Sequence, residues 1–375
     1  MKLLFAANTP DSRSAGIAKI MNCLADSLRL KGHRVDLIFH ISLPHWKWSR
    51  RVSDLSFPIA LSNHIAHLTK SGERYDAVAI HSLSAAPYIF LRQFHQNLPP
   101  CVLVSYGADQ MRWDLEKEEE RLGFHSIRLF SKLFYPALVL APVRYAVKHA
   151  DKIMVAARSE IDFFEKFCGV APAKVSFIPN GVAPEYFSQH DYARPAAKLL
   201  YLGGWEWRKG IRYLAQSFSL IAAAHPKVTL SLVGIGTSAE EAKKYFPADF
   251  HSRINVTPRV TVEETPKIYA DHDIFLFPSL FESMSLVVPE AMASGLPVIT
   301  TRTCGMPDII HDGLNGYLVP IRDAQAVAQK TDTLLRNPDL RKTIGINAQA
   351  SAKNILWDKI ADQAAAMFQR ILNRP

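Results

Sequence analysis

The sequence predicts an α/β protein built from two doubly wound, Rossmann-like domains, each with a parallel β-sheet. Short apolar runs with strand character alternate with helical patterns along almost all of the 375 residues, as parallel sheets with crossover helices require. One polar stretch with two prolines, 183–195, interrupts this alternation, and the length suits two or three domains. Because ligands of such sheets bind at the carboxyl ends of the strands, we expect a site in a cleft between the domains.

Composition excludes a disordered chain and leaves several classes of partner open. Apolar residues make up 48% of the chain and charged residues 21%, as in globular proteins. The net charge of +9 favours anionic partners such as phosphates, lipid headgroups or nucleic acid. The four cysteines lie far apart without a Cys-x-x-Cys pair, which argues against a disulfide framework or thiolate zinc site and favours a reducing compartment.

The N-terminus has the charge of a signal peptide but not its apolar length. The apolar stretch from Leu3 stops at Asn8, whereas signal peptides carry an apolar region of about 7–15 residues. No uncharged apolar run reaches the roughly 18 residues that cross a bilayer. We therefore interpret the stretch as a first strand and expect a cytosolic protein.

The first half of the chain contains six predicted strands. Apolar residues between Ile17 and Leu28 recur at helical spacing and Gly32 follows them, which predicts a helix between the first two strands. The segment 160–167 predicts another helix between the last two. The strands are 3–7, 35–39, 77–80, 101–105, 152–155 and 175–178.

The second half repeats the alternation and ends in helices. Its strands are 199–202, 228–233, 254–256, 274–277 and 298–300, and its last helices are near 324–335, 340–350 and 360–371. We accordingly predict a first domain 1–183, a linker 184–196, a second domain 197–354 and a C-terminal segment 355–375.

The loop and helix that follow the strand ending at Phe277 carry the most informative pattern. Pro289 is tolerated only in a first helical turn, so a helix begins near Leu286. Free amides at a helix start bind anions, and Glu282 and Glu290 could accept hydrogen bonds from hydroxyl groups on either side. The alternative is that Glu290 only complements the helix dipole.

A second cluster follows the strand 199–202. Arg208 and Lys209 precede Gly210 where a strand leads into a helix. Two cations at such a terminus suit a diphosphate leaving group, because developing negative charge needs fixed positive partners. The alternative is a solvated Arg-Lys pair.

These motifs resemble those of retaining GT-B glycosyltransferases, specifically glycosyltransferase family 4. The segment Glu282–Glu290 is similar to the family's Glu-x7-Glu motif. Other similar segments are 278–279, 290–293, 295–298, 150–155, 178–182 and 312–319. The resemblance therefore covers most of the chain and implies a GT-B fold, with two Rossmann-like domains facing an interdomain cleft. It also implies that the C-terminal segment 355–375 is a helix that packs back on the first domain.

The resemblance also implies roles in binding a nucleotide diphosphate sugar by the second domain. Glu290 would hold the donor ribose and Glu282 the transferred sugar. The amides of Ser285, Leu286 and Val287 would meet the diphosphate, although Ser285 stands where the family often has glycine.

The cation cluster resembles the family's Gly-Arg-x4-Lys-Gly motif, with one departure. Lys209 takes the place of the lysine, whereas Gly204 stands in the place of the arginine. We hypothesise that Arg208 supplies the missing charge from another direction. The loop 257–260, with Arg259, is expected to help read the base and sugar.

The first domain offers four candidate residues. Gly16 would let backbone approach the ligand without a side chain in the way; the family has two glycines where this chain has Ala15 and Gly16. His81 matches a family histidine at a strand end, and Tyr106 stands in the place of a histidine that contacts the sugar. Asp109 could orient the acceptor. A structural role is the alternative for His81, Tyr106 and Asp109.

We expect no metal and no cofactor besides the nucleotide sugar as co-substrate. Asp271-His272-Asp273 superficially resembles a metal-binding Asp-x-Asp, but Asp273 opens an apolar strand. The other histidines lack ligand spacing such as His-Glu-x-x-His. The resemblance implies metal independence, since helix dipoles and basic side chains replace the ion in GT-B enzymes.

The segment 122–152 raises a membrane hypothesis. Its Lys and Arg residues are Arg128, Lys132, Arg144, Lys148 and Lys152, with aromatic residues nearby. The last three would share one face of a helix, and the loop 46–51 could assist binding to an anionic bilayer. The alternative is a core-facing helix with a solvated basic side. No nucleic-acid recognition module is visible, so we expect no nucleic-acid partner.

With the resemblance, the sequence indicates a retaining, metal-independent glycosyltransferase of the hexosyltransferase type. It would act in envelope glycan biosynthesis (lipopolysaccharide, exopolysaccharide or glycolipid), on a glycan or lipid-linked acceptor, as a cytoplasmic protein peripheral on the inner face of the plasma membrane. Two alternatives remain, a catalytically silent nucleotide-sugar-binding or membrane-scaffold protein and a sugar-nucleotide epimerase.

Overall fold

The computed structural model describes residues 1–13, 16–43, 50–193 and 195–373, without the side chains of 50–54. It confirms the predicted α/β class, with two six-stranded parallel sheets. Contacts divide the chain into two compact units, one formed by Met1–Pro179 with Trp357–Pro375 and the other by Asn180–Leu356.

The first unit holds the six predicted strands with small changes at their ends. The strands are β1 (Lys2–Ala7), β2 (Arg34–Phe39), β3 (Ala77–His81), β4 (Cys101–Ser105), β5 (Lys152–Val155) and β6 (Val175–Phe177). The α-helices are α1 (Gly16–Leu30), α2 (Arg50–Lys70), α3 (Ala85–Arg92), α4 (Asp109–Arg121), α5 (Leu129–Tyr135), α6 (Ala141–His149) and α7 (Arg158–Cys168), and the π-helical turn Pro136–Leu140 joins α5 to α6.

The strand order of the first sheet is β2-β1-β3-β4-β5-β6. After β1 the chain runs outward to β2 and returns on the other side of β1 to form β3, so the order reverses between β1 and β3. The carboxyl ends of these two strands therefore form the switch point, where doubly wound sheets bind ligands.

The second unit has its own six strands and seven helices among the described residues. The strands are β7 (Lys198–Leu202), β8 (Thr229–Val233), β9 (Ile254–Thr257), β10 (Ile274–Phe277), β11 (Val298–Thr301) and β12 (Tyr317–Val319). The helices are α8 (Ile211–Ala224), α9 (Ala239–Lys243), α10 (Thr265–Ala270), α11 (Val287–Ala293), α12 (Met306–Ile309), α13 (Ala324–Arg336) and α14 (Pro338–Ala352).

The order of the second sheet is β12-β11-β10-β7-β8-β9, so its switch point lies between β7 and β10. All four residues of β10 are fully buried, as expected for a central parallel strand covered on both faces. The carboxylate of Asp273 accepts hydrogen bonds from the Ala197 and Lys198 amides at 2.9 and 2.8 Å. This contact joins the start of β10 to the start of β7 and gives Asp273 a structural role.

The last helix, α15 (Trp357–Leu372), belongs to the first unit. The ring of Phe368 stacks on Phe5 of β1 with 5.9 Å between centroids. Lys31 forms ion pairs with Asp358 at 2.8 Å and with Asp362 at 2.7 Å. The helix is thus attached through an apolar face and a charged rim.

One residue of the predicted linker 184–196 packs within the second unit. Tyr186 is 2% exposed and its hydroxyl lies 2.9 Å from Thr265 Oγ1. Lys152 begins β5, as predicted for the strand 152–155, so the expectation that it shares a helical face with Arg144 and Lys148 is wrong. Only Arg144 and Lys148 therefore share a face of α6.

The part of the chain that the structure describes contains no helix with both the length and the apolar character to span a bilayer. Residues 46–49 of the basic loop 46–51 lie outside the described residues.

The loops after β7 and β10 approach each other so closely at Gly210 that only glycine fits, and substitution of this glycine tests the contact. Gly210 has φ +71°, and a Cβ there would lie 1.8 Å from the carbonyl oxygen of Pro278. Gly236 has φ +70° with nothing within 4 Å of a Cβ. Gly210→Ala and Gly236→Ala should both incur strain of about 1–2 kcal/mol, and Gly210→Ala a further overpacking cost of about 1–3 kcal/mol.

Calorimetric melting of the two variants beside the parent chain measures this difference. Equal losses of melting temperature would show that the loop after β10 yields to the added methyl group.

Candidate active site

Two loops meet at the switch point of the second sheet. One follows β7 and reaches α8 through the 3₁₀ turn Trp207–Lys209, and the other follows β10 and reaches α11. Because β7 and β10 pair directly, the loops lie side by side. The carbonyl oxygen of Arg208 accepts hydrogen bonds from Leu280 N–H at 2.8 Å and from Ser279 Oγ at 3.0 Å. The backbones of the two loops are therefore joined at the base of the site.

The side chains above this junction form a compact charged cluster. Lys209 Nζ forms an ion pair with the carboxylate of Glu282, and Arg208 Nη1 lies 3.4 Å from the same carboxylate. Only 13% of the Lys209 side chain and 16% of the Glu282 side chain are exposed. Partial removal from water strengthens such pairs. The cluster holds two cations where the sheet topology predicts a ligand.

Gly204 stands in the place of the motif's arginine, and the structure shows which side chains lie beside it. A Cβ at Gly204 would lie 3.1 Å from Glu206 Oε1, and Glu206 in turn accepts a hydrogen bond from Arg208 Nε at 2.8 Å. The hydroxyl of Tyr201 donates to the Gly204 carbonyl at 2.9 Å. Burial raises the pKa of Tyr201 above its usual range, so this hydroxyl stays protonated. Arg208 is thus held between Glu206 and Glu282, beside the position that Gly204 leaves without a side chain.

Glu290 lies in the first turn of α11 and is 4% exposed. The hydroxyl of Tyr269, on α10, donates a hydrogen bond to its carboxylate at 3.0 Å. Burial first, and then the charge of Glu290, raises the pKa of Tyr269 well above 10, so the donor proton is retained. No local pattern in the sequence indicates Tyr269, because it lies 21 residues before Glu290 on a different helix.

The backbone between the two glutamates is held from behind. Asn180 Nδ2 donates to the Met284 carbonyl at 2.6 Å, and Gly305 N–H donates to the Ser283 carbonyl at 2.7 Å. In a trans peptide the carbonyl and the next N–H point in opposite directions. Asn180 therefore directs the Ser285 amide away from itself.

The amides of Ser285, Leu286 and Val287 come before the first helical hydrogen bond of α11. Glu290 N–H is bonded to the Leu286 carbonyl at 3.2 Å, whereas Ser285, Leu286 and Val287 lie before that first turn closes. Their N–H groups are the ones that a helix start offers to an anion.

Arg259 lies exposed after β9, the edge strand of the second sheet, two strands from β7. The loops after β8 and β9 are joined there, since Gly234 N–H donates to Thr257 O at 2.8 Å and Gly236 N–H to Pro258 O at 2.9 Å. Arg259 therefore lies on neither of the two loops that carry Lys209 and Glu282.

In the first unit, three predicted residues come together after β3 and β4. The rings of His81 and Tyr106 stack with 5.7 Å between centroids, and Asp109 accepts a hydrogen bond from Ser82. Burial lowers the pKa of His81, although the charge of Asp109 acts in the other direction, so His81 is neutral at pH 7. Burial raises the pKa of Tyr106, which keeps its hydroxyl a hydrogen-bond donor.

The turn that carries Tyr106 depends on a residue that the sequence analysis missed. Glu160, in the first turn of α7 and 1% exposed, accepts hydrogen bonds from the Ser105 hydroxyl and from Gly107 N–H, the latter at 3.2 Å. Glu160 and Ser105 are 55 residues apart, so no local spacing indicates the contact.

Gly16 begins α1 with φ +67° and has open space around a Cβ. Its positive φ, and not a close neighbour, is therefore the local reason for glycine. Ala15 lies outside the described residues. Among the residues that are described, no group of three His, Cys, Asp or Glu side chains is arranged to hold a metal ion.

Two family descriptions match this chain. Glycosyltransferase Family 4 matches residues 15–186, and Glycosyl transferases group 1 matches residues 196–337. Together they cover most of both units.

Curated relatives match shorter parts of the chain. The sulfoquinovosyl transferase SQD2 of Arabidopsis thaliana is 35% identical over 138 residues, which cover 35% of this chain and 26% of that protein. The capsular polysaccharide biosynthesis glycosyltransferase CapM of Staphylococcus aureus is 31% identical over 168 residues, 43% of each chain. The chain spans from about a quarter to about three fifths of the length of the curated relatives it matches.

Solved structures match nearly the whole chain. Sucrose-phosphate synthase from Thermosynechococcus elongatus has a TM-score of 0.80 at 20% identity and covers 99% of this chain and 98% of its own. WaaG, a glycosyltransferase involved in lipopolysaccharide biosynthesis, has a TM-score of 0.73 at 17% identity, with 98% and 99% covered. Anabaena HepE in complex with UDP-glucose has 0.72 at 16%, with 99% and 100% covered. These likenesses confirm the predicted GT-B fold.

The contact between Tyr269 and Glu290 predicts an effect on stability. Tyr269→Phe removes a hydrogen bond to a buried carboxylate and should destabilise the protein by about 2 kcal/mol. Tyr192→Phe is the matched control, since its hydroxyl donates to the neutral Gly295 carbonyl at 2.7 Å and its loss should cost about 1 kcal/mol. Melting curves of both variants measure the difference. A Tyr269 variant as stable as the parent chain would mean that Glu290 does not depend on this donor.

Proposed function

Because this chain belongs to the group 1, family 4 glycosyltransferases, we propose that it is a retaining glycosyltransferase that uses a nucleotide diphosphate sugar. The observation that carries the proposal is the pair of cations, Lys209 and Arg208, gathered on Glu282 at the switch point of the second sheet. Glu290 lies on the adjoining helix. The same loops thus offer positive charge for a diphosphate and carboxylates for sugar hydroxyls.

The proposed reaction breaks the bond between the anomeric carbon and the diphosphate oxygen, which leaves with the bonding electron pair. The acceptor hydroxyl oxygen forms the new bond on the same face, and its proton passes to the departing phosphate. Lys209 and Arg208 stabilise the charge that develops on the leaving group. We propose that these two cations make a bound metal unnecessary.

Glu282 has two roles in this proposal. Without donor it pairs with Lys209 and Arg208 and keeps two partly buried cations from remaining unpaired. When a diphosphate binds to these two cations in place of Glu282, the Glu282 carboxylate becomes free to accept hydrogen bonds from the transferred sugar. The ion pair therefore exchanges one anion for another, which limits the electrostatic cost of an empty site.

The remaining donor contacts follow from α11. Glu290 would accept hydrogen bonds from the ribose hydroxyls while Tyr269 fixes its orientation. The amides of Ser285, Leu286 and Val287 would bind the diphosphate, with the Ser285 amide directed by Asn180. Gly204 would leave room beside Arg208, and Arg259 would contribute at the base or sugar.

For the acceptor we propose a hydroxyl group of an envelope glycan or glycolipid, handled on the cytoplasmic side of the membrane. The names of CapM, for capsular polysaccharide biosynthesis, and WaaG, for lipopolysaccharide biosynthesis, support this class. Gly16, neutral His81, Tyr106 as a hydrogen-bond donor and Asp109 as an acceptor are the proposed contacts of the first unit.

Donor binding is the first expected result. UDP is the leading candidate because HepE is known with UDP and UDP-glucose, and GDP, ADP and their sugar conjugates complete the panel. A ligand at about 100 times its Kd should stabilise the protein by about 2.7 kcal/mol, measured as a raised melting temperature in EDTA. Lys209→Ala and Glu290→Gln should remove the shift, whereas Arg302→Ala, an exposed cation of the same unit, should keep it. A shift that appears only with added metal would contradict metal independence, and no shift with any nucleotide would favour a silent scaffold.

Transfer itself is the second expected result. Glu282→Gln and Lys209→Ala should each lower kcat by about 100-fold or more, as the loss of a transition-state charge partner does. Each should also lower the melting temperature more than Arg302→Ala does, because it leaves a partly buried charge unpaired, and a single cooperative transition shows that the variant is folded. Arg208→Ala should lower both donor affinity and turnover. If Arg208→Ala leaves both intact, the missing charge is not supplied by Arg208. Interconversion of the donor without any acceptor would identify an epimerase instead.

A further inference from the structure

One segment of the first unit exposes apolar side chains that the proposed transfer chemistry does not use. Helix α5 contains no buried residue. Leu129 and Leu133 are 70% and 63% exposed, and Phe130 and Phe134 are each 44% exposed. Folded monomers rarely leave large apolar side chains clustered in this way unless the surface meets a partner.

These four side chains form one stripe along α5. At about 100° per residue, Leu129 and Leu133 lie within about 40° of each other, and Phe130 and Phe134 follow at about 100° and 140°. Leu138, 39% exposed in the π-helical turn, adds to the same apolar surface. We call these five residues the apolar ridge.

The unit holds α5 by the side away from the ridge. Tyr135 lies at about 240° around the helix axis, counted from Leu129. Its ring stacks on Trp113 with 4.7 Å between centroids. Its hydroxyl accepts a hydrogen bond from Arg112 at 2.6 Å. Ile127 and Leu140 complete the buried cluster around Trp113. The helix is therefore attached on one face while the opposite face is apolar and exposed.

The segment that carries the ridge is basic. From Leu122 to His149 there is no Asp or Glu, and the four Lys and Arg residues are Arg128, Lys132, Arg144 and Lys148. All four are exposed; Lys132 also pairs with Glu120 of α4 at 2.7 Å. Exposed apolar groups flanked by cations are the composition of helices that lie in the interface of an anionic bilayer.

We propose that the apolar ridge and its flanking cations dock this protein onto an anionic lipid surface. A second copy of the chain is a poorer occupant, because a symmetric contact would place the same cations against one another. The proposal goes beyond the glycosyl transfer proposed above and does not depend on it, since every residue involved lies in the first unit.

The structure also shows which part of 122–152 fits each of the two interpretations that the sequence left open, a core-facing helix and a membrane-surface helix. Helix α6 is core-facing, with Ala146 and Val147 buried. Helix α5 is not, and its apolar side chains point to solvent instead. The lipid contact therefore belongs to 129–138, with Arg144 and Lys148 contributing charge alone.

Flotation of the 375-residue chain with vesicles tests the proposal. We expect the protein to float at low salt with phosphatidylcholine vesicles that contain phosphatidylglycerol, and less with phosphatidylcholine alone. Leu133→Ser combined with Phe134→Ser should lower partitioning about ten-fold or more, because two apolar groups lose their burial in lipid. Arg128→Gln should lower it about five-fold, and only on the anionic vesicles.

The second unit supplies a matched control. Leu220 and Leu314 are 51% and 57% exposed there, so Leu220→Ser combined with Leu314→Ser removes comparable apolar groups away from the ridge. This control should float like the parent chain, and melting curves should show that both double variants fold.

Three outcomes would overturn the proposal. They are absence of flotation at low salt, equal partitioning of the ridge and control variants, and a concentration-dependent dimer in sedimentation that the ridge variant abolishes. The last result would assign the ridge to a second copy. The melting shift caused by a nucleotide tests the proposed donor site, which lies in the second unit, and so reports separately on the transfer function.

Discussion

The direct pairing of β7 with β10 is the constraint on which the candidate site depends. Strands 75 residues apart in the chain become neighbours at the point where the strand order reverses, so the loops that follow them share a boundary. The Arg208 carbonyl accepts three hydrogen bonds from the loop after β10, and Gly210 passes so close to Pro278 that no Cβ fits. Lys209 and Glu282 meet because these backbones are already joined beneath them. The ion pair is a consequence of sheet topology, and the chemistry proposed for it rests on that topology.

The two glutamates of the motif are held by different physical means. Glu282 is partly exposed and balanced by two cations, so an entering anion can take its place. Glu290 is buried and oriented by a protonated tyrosine, so its position does not need to change when a ligand arrives. One carboxylate is therefore exchangeable and the other is preorganised. A site that must bind, react and release a charged group needs both kinds of partner.

In the first unit, the residues that support the sheet and the residues that expose apolar side chains belong to different segments. Glu160 and Ser82 fix the turns that carry Tyr106 and Asp109, and α15 covers β1 and α1. The segment 129–138 is different, because its apolar side chains face outward while Tyr135 anchors it. The basic composition of 122–152 left both a core-facing helix and a membrane-surface helix open. Composition does not state which side of a helix the protein covers, and the structure does.

Local patterns along the chain were sufficient for the α/β class, for nearly all the strands and for the Glu282–Glu290 motif, because each depends on spacing within one element. They were not sufficient for Tyr269, Asn180 or Glu160, whose partners lie 21, 104 and 55 residues away. They also indicated two incompatible places for Lys152, the start of a strand and one face of a helix, and the structure has it at the start of β5. Hydrogen bonds between distant residues depend on which strands become neighbours and which faces are covered. Those choices arise from the packing of the whole unit, and no periodicity within one element encodes them.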